Sequence, residues 1–217
     1  MNKIISINEA VDKIKDGMTV MIGGFLANGT PEKLIDALVE RGVKNLTLIC
    51  NDTGFPDRGV GKMVVAKQFK RIIVSHIGTN PETANQMNSG ETTVDLVPQG
   101  TLAERIRCEG TGLGGFYTPT GIGTEVEEGK EKKVINGKEY LFELPLRADV
   151  ALLFGSVADK KGNIVYNKTM KNFNPIMATA ADTVIVQAEK IVEVGELDPE
   201  LVMTSGIFVD YIVGGDR

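Results

Sequence analysis

The sequence is poor in the side chains that most often announce a chemistry. Its 217 residues include two cysteines and one histidine. Cys50 and Cys108 have no metal-type spacing and are too few for a disulfide framework. Cys50 ends the apolar run "LTLIC" and reads as a buried, inert thiol. His76 lies in "IIVSHI" and reads as a hydrogen-bonded structural histidine rather than an acid or base. The carboxylates are scattered, with no spacing that suits a metal. There is no G-x-S-x-G elbow and no H-E-x-x-H helix. No apolar run approaches the ~18–20 residues of a membrane span. "MNKIISINEAVDKI" lacks the apolar core of a secretory signal, so a soluble, cytoplasmic chain is expected. A net charge of −5 without a Lys/Arg block argues against a nucleic-acid surface. The densest basic run, "KEKK" at 130–133, reads as a solvated hairpin edge.

What is present suits a globular chain with a real core: 42% apolar and 24% charged residues. The length fits a single α/β domain over 1–217. "SINEAVDKIKDG" predicts a helix with Ser6 as N-cap, Glu9 reciprocating and Gly17 as the stop. "TVMI" predicts a short buried strand. "PEKLIDALVERG" predicts a helix with Thr30 as N-cap, Pro31 first and Gly42 last, its stripe formed by Leu34, Ile35, Leu38 and Val39. Short β-branched runs at 46–50, 71–77, 93–98, 148–154 and 182–188 predict fully buried strands. Helical patterns between several of them predict βαβ units: one open, mostly parallel sheet with flanking helices. Residues 110–137 are dense in glycine and predict an irregular excursion ending in a hairpin, with Asn136 and Gly137 as a type I′ turn. No internal repeat stands out.

The stretch "IGGFLANGTPEK" carries the clearest functional signal. A strand, a Gly-rich turn and a helix N-terminus together form an anion site, because free N–H groups and the helix dipole converge on the loop. The alternative is a tight turn with close strand–helix packing. The loop lacks the Gly-Lys-Ser/Thr of nucleotide hydrolases. "GTGLGG" at 110–115 matches G-x-G-x-x-G in form only, since Pro119 and Gly121 forbid the helix a dinucleotide site needs. Asn51 with Asp52, and Gln99, follow predicted strands, where open parallel sheets put their ligand crevices. Asn and Gln can orient a substrate or donate to a developing oxyanion, but neither is a nucleophile. The chain therefore presents a binding floor without a catalytic engine.

"DGMTVMIGGFLANGTP" (16–31) resembles the signature of family I coenzyme A transferases. "LTLICNDTG", "SHIGTNPET", "VPQGTLAERIR", "GTGLGGFYTPTGIGT", "LPLRADVALL" and "NFNPIMATAAD" resemble successive landmarks of the α (A) subunit, so the likeness covers essentially the whole chain. It implies a CoA-transferase-like fold and transfer of CoA between a 3-oxoacyl- or short-chain acyl-CoA and a carboxylate such as acetoacetate, butyrate or acetate. It further implies a glutamyl-CoA thioester on a glutamate of the β (B) subunit, with no catalytic residue in this chain. CoA would be a substrate, with no cofactor or metal, and an α2β2 heterotetramer is the expected assembly. The resemblance carries over Gly24, Phe25, Leu26, Ala27, Asn28, Gly29 and Thr30 as a CoA-binding loop, meeting either the diphosphate or the thioester end. Asn51 and Gln99 become the groups that polarise the acyl or carboxylate oxygens, and 110–123 a wall of the substrate mouth or of the α–β contact. Gly24→Val is expected to impair transfer without unfolding the chain. Two other readings compete: a non-catalytic acyl-CoA- or metabolite-binding regulatory domain, and a sugar-phosphate-type isomerase, for which no acid/base pair is found.

Overall fold

Alternation along the central strands decides the architecture. Val20 and Ile22 pack into one apolar cluster while Met21 packs into another, and Leu48 and Ile49 divide the same way. A sheet with a core on each face needs helices on both sides, and its strands read as continuous apolar runs. The computed structural model describes residues 3–214; residues 1–2 and 215–217, which the single-domain reading includes, lie outside the described residues.

The elements in chain order are α1 (Ile7–Val11), β1 (Thr19–Ile22), α2 (Glu32–Arg41), β2 (Leu46–Ile49), α3 (Gly61–Val65), β3 (Phe69–Val74), α4 (Pro81–Ser89), β4 (Thr93–Leu96) and α5 (Gln99–Gly110). There follow β5 (Phe116–Thr118), β6 (Lys132–Ile135), β7 (Lys138–Glu143), β8 (Ala148–Asp159), β9 (Ile164–Val165), α6 (Asn174–Met177), β10 (Ala181–Val192) and β11 (Tyr211–Gly214). The main sheet runs β11-β10-β8-β1-β2-β3-β4, all neighbours parallel, with β9 antiparallel on β8. Helices α1, α2 and α3 cover one face through Val11, Leu34, Ile35, Leu38 and Met63. The other face carries α5 and α6 through Leu102, Ile106 and Met177. Truncating one of these buried leucines to Ala would cost about 2–5 kcal/mol.

Several local predictions hold. Ser6 and Glu9 form the reciprocal capping box, and Gly42 ends α2 in the left-handed region. Asn136 and Gly137 both have positive φ, as a type I′ turn requires. Others shift. The first helix stops at Val11, and Gly17 instead makes a left-handed turn. The cap of α2 falls on Pro31, and Thr30 makes no side-chain cap bond. Strands β8 and β10 run well past the ends their sequences suggest. Gly155 lies within β8, where a Cβ would sit 2.7 Å from the Ile164 side chain. The excursion forms a three-stranded antiparallel sheet, β5-β7-β6. Within it Lys130 is no solvated edge residue: with Arg105 it faces the buried Glu143, at 2.5 and 3.8 Å.

One feature of the topology positions the site. Strand order departs from β1 in both directions, through β2 to β4 on one side and through β8 to β11 on the other. The connections leaving the carboxyl ends of β1 and β2 border that switch point, where doubly wound sheets open a crevice.

Candidate functional site

Two connections with the same plan stand side by side at this crevice. After β1 comes Gly24-Phe25-Leu26-Ala27-Asn28-Gly29, and after β2 comes Gly54-Phe55-Pro56-Asp57-Arg58-Gly59. In each, both glycines have positive φ, and the phenylalanine exchanges two backbone hydrogen bonds with the residue three further on. A helix follows each. This is an internal structural repeat that the sequence hides, because only glycine and phenylalanine recur. The register of β1 on β2 pairs residues 28 apart (Met21 with Ile49), whereas the loops match at a spacing of 30 (Gly24 with Gly54). The second connection thus carries two extra residues, and these make room for Asn51 and Asp52.

The glycines of the first loop are bare chiefly because protein atoms approach them. A Cβ on Gly23 would lie 1.9 Å from Asn174 Oδ1, one on Gly24 2.1 Å from Thr30 Oγ1, and one on Gly29 2.6 Å from the Met170 carbonyl. Asn174 stitches the floor together, accepting from Phe154 N–H (3.0 Å) and donating to the carbonyls of Gly29 (2.9 Å) and Met170 (2.8 Å). The expected anion cradle at the α2 N-terminus is also corrected. Buried Gln187, on β10, offers its Oε1 to the N–H groups of Lys33 (2.9 Å) and Leu34 (3.2 Å) and so occupies donors an anion would need.

The exposed part of the loop is its turn. Leu26 (φ 47°) and Ala27 (φ 65°) both take the left-handed conformation, which Leu and Ala adopt only against strain of about 1–3 kcal/mol each. The surrounding hydrogen bonds hold them there. Among the described residues the N–H groups of Gly24, Ala27 and Gly29 carry no hydrogen bond. The outer side of the turn borders a largely apolar hollow of about 730 Å³, whose lining includes Phe25, Leu26, Pro175 and Ile176 together with Asn28, Thr169, Lys171 and Asn172. No residue of 110–123 lines this hollow.

Asn51 and Gln99 are brought together: Gln99 Nε2 donates to Asn51 Oδ1 at 2.7 Å. Asn51 is buried, while Gln99 opens α5 and is exposed. Ser75, just past β3, donates to the Asn51 carbonyl oxygen (2.8 Å), and its Oγ lies 3.1 Å from Asn51 Oδ1. Asn51 Nδ2 in turn donates to Asp52 Oδ2 at 2.7 Å. Asp52, noted in the sequence only for its place beside Asn51, was assigned no role. Its buried carboxylate also accepts from Leu26 N–H (2.9 Å) in the first loop and Gly54 N–H (2.8 Å) in the second. Glu32 is committed too, to Gly59 N–H (2.7 Å) and Lys62 (2.5 Å). His76 lies beyond β3, exposed, and its ring has no hydrogen-bond partner among the described residues, against the expectation of a bonded histidine. Burial pushes the Cys50 thiol well above its usual range, as the inert reading requires.

Comparison with known proteins gives the family and the fold. The sequence model of the family described as "Coenzyme A transferase" matches residues 4–215. The acetoacetyl-CoA:acetate/butyrate CoA transferase alpha subunit of Clostridium acetobutylicum is 55% identical over 212 residues, covering 98% of this chain and 97% of that protein. The acetate CoA-transferase subunit alpha of Escherichia coli (strain K12) is 51% identical over 211 residues, covering 97% and 96%. Among solved structures, an acyl-CoA transferase from E. coli O157:H7, determined as a thioester complex with CoA, superposes with a TM-score of 0.90 at 23% identity. That match covers all of this chain but 49% of the solved one, so this chain spans about half of that protein and shares its fold. No helix among the described residues is long and apolar enough to cross a membrane.

Proposed function

The chain belongs to the coenzyme A transferase family, as an α subunit of its family I branch, and we propose that it supplies the substrate-orienting half of a 3-oxoacyl- or short-chain acyl-CoA:carboxylate transferase. The nucleophile in this reading is a glutamate of a β subunit, within an α2β2 assembly, and CoA is a substrate rather than a cofactor. The glutamate carboxylate attacks the acyl carbonyl and CoA thiolate leaves, giving a mixed anhydride. The thiolate then attacks the glutamyl carbonyl, releasing the first carboxylate and leaving a glutamyl-CoA thioester. An incoming carboxylate reverses the two steps. Water would destroy the anhydrides, and each tetrahedral intermediate carries an anionic oxygen. A dry floor with fixed N–H donors is therefore what such a reaction asks of its α chain.

The observation that carries the reading is the hydrogen-bonded pair of Asn51 and Gln99 beside a strained turn at the sheet's switch point. The two carboxylates that accept N–H groups from the loops are already committed: Asp52 to three N–H donors, Glu32 to Gly59 and Lys62. These are poor nucleophiles, which fits an engine on another chain. Asn51 and Gln99 are assigned to the acyl or carboxylate oxygens. Residues 24–30 are assigned to the thioester end of CoA: the α2 donors that would hold a diphosphate serve Gln187, and the hollow beyond the turn is largely apolar and within the ~300–1,000 Å³ of small-molecule sites. Acetate and butyrate are the first acceptors to try, with acetoacetyl-CoA as donor, by analogy with the reactions named for the two relatives. The deciding assay is acetoacetyl-CoA:acetate transfer by the chain alone and after mixing with a β subunit. Transfer only in the mixture is expected; transfer by the chain alone would overturn the half-site reading.

A further inference from the structure

The two matched loops meet across a single buried carboxylate, and we infer that Asp52 is a positioning residue for transfer, setting which way the Asn51 and Gln99 amides face. The inference rests on the reading of those amides as the groups that meet the acyl or carboxylate oxygens.

A carboxylate only accepts. Asp52 Oδ2 receives both Leu26 N–H and Asn51 Nδ2, and Oδ1 receives Gly54 N–H. The Asn51 carboxamide must therefore turn its nitrogen to Asp52 and its oxygen away. That oxygen meets Gln99, which must turn its own nitrogen toward Asn51. The order of donors thus propagates from the buried acid to the exposed amide, resolving two side chains whose oxygen and nitrogen are otherwise interchangeable. It leaves one unused hydrogen on Asn51 Nδ2 and one on Gln99 Nε2, and donors are what a developing oxyanion needs. The same oxygen that holds Asn51 also holds Leu26, at the start of the left-handed turn. One residue therefore fixes both the amide order and the strained loop.

Asp52→Asn keeps the shape and removes the order. A carboxamide offers one oxygen to a site lined by three donors. With that oxygen toward Gly54, its NH2 faces Leu26 N–H and Asn51 Nδ2. Asn51 relaxes by turning over, its nitrogen then confronts Gln99 Nε2, and Gln99 turns in response. An acceptor replaces a donor at the reacting oxygens.

The test is a double-mutant cycle on the reconstituted α–β complex, reading kcat and KM separately. Asp52→Asn is expected to lower kcat by about tenfold or more and to move KM for the acyl-CoA by less than about threefold. In a Gln99→Ala background it should cost less than it does in wild type, because one of the two amides it orients is gone while Asn51 remains. Losses that multiply in full would overturn the inference, as would a wild-type kcat in Asp52→Asn. Gln99→Glu repeats the question at the exposed end, where folding is not at stake. It puts acceptors where the donor stood, and should lose more activity than Gln99→Ala; an equal or smaller loss would count against the inference. If Gln99→Ala alone leaves transfer untouched in an active complex, the assignment of the amides themselves fails, a result distinct from additivity between the two sites.

Discussion

The two loops share a plan and differ in their two central residues. In the second, Pro56 and Asp57 sit in a turn that needs no left-handed backbone, and proline's fixed φ suits its first central position. In the first, Leu26 and Ala27 occupy two successive left-handed positions that glycine or asparagine would fill at far lower cost. The same framework therefore holds a relaxed turn in one place and a strained one beside it. The strained turn also has the largely apolar hollow on its outer side. Strain retained where an unstrained solution exists one strand away is in keeping with the proposed assignment of the first loop to the ligand. The second loop reads as a buttress: a Cβ on Gly59 would lie 3.1 Å from the Ala27 side chain, and the Gly59 N–H is gripped by Glu32 at the start of α2.

Breaking the first loop at its glycine should have the largest effect. Gly24 has φ 133°, and its Cβ would fall 2.1 Å from a buried threonine hydroxyl. Gly24→Val combines backbone strain with overpacking, each about 1–3 kcal/mol, so stability should drop by about 2–6 kcal/mol. This reverses the sequence-based expectation that the variant loses transfer yet keeps its fold. Calorimetry of the isolated chain decides: a Tm within about 2 °C of wild type would mean the loop absorbs a side chain that the packing forbids.

Relieving strain sharpens the comparison, because the two loops should respond with opposite signs. Ala27→Gly removes the left-handed penalty and should stabilise the chain by about 1 kcal/mol. At the matching turn Pro56→Gly frees the unfolded chain and should destabilise by about 0.4–1 kcal/mol. Urea unfolding of both variants measures the pair. Transfer should fall in Ala27→Gly, whose turn is no longer held in one geometry, and remain near wild type in Pro56→Gly. Destabilisation by both would remove the strain argument.

What the sequence disclosed follows from how local each feature is. The capping box of Ser6 and Glu9, the Gly42 stop and the turn at Asn136 and Gly137 are decided within a few residues and were legible. The central strands were legible too, since burial on both faces leaves unbroken apolar runs. Strand ends placed Asn51 and Gln99 at the crevice, but not the hydrogen bond that joins them across 48 residues. The rest depends on contacts no local pattern encodes. Gln187 stops the α2 N-terminus from more than 150 residues away. Asn174 fills the space beside Gly23, so a glycine that looked open to a ligand is closed by a side chain. Asp52 carries no motif; its role exists only where two loops converge on it.

The smallest effect concerns the thiol between those loops. Cys50 follows β2 directly, is buried, and donates its S–H to the Asp52 carbonyl at 2.9 Å. Burial and the neighbouring Asp52 charge both disfavour a thiolate, which removes it as a nucleophile and leaves packing as its contribution. Cys50→Ala trades one sulfur for a small void and a weak lost hydrogen bond, about 1 kcal/mol of stability. The carboxylate of Asp52 keeps its three N–H partners in that variant, so the amide order at Asn51 and Gln99 should persist and kcat should stay within about twofold of wild type. Steady-state kinetics on the α–β complex reads this directly. A folded Cys50→Ala chain with transfer lost would mean that the position of the Asp52 backbone, and not only its carboxylate, sets the geometry of the site.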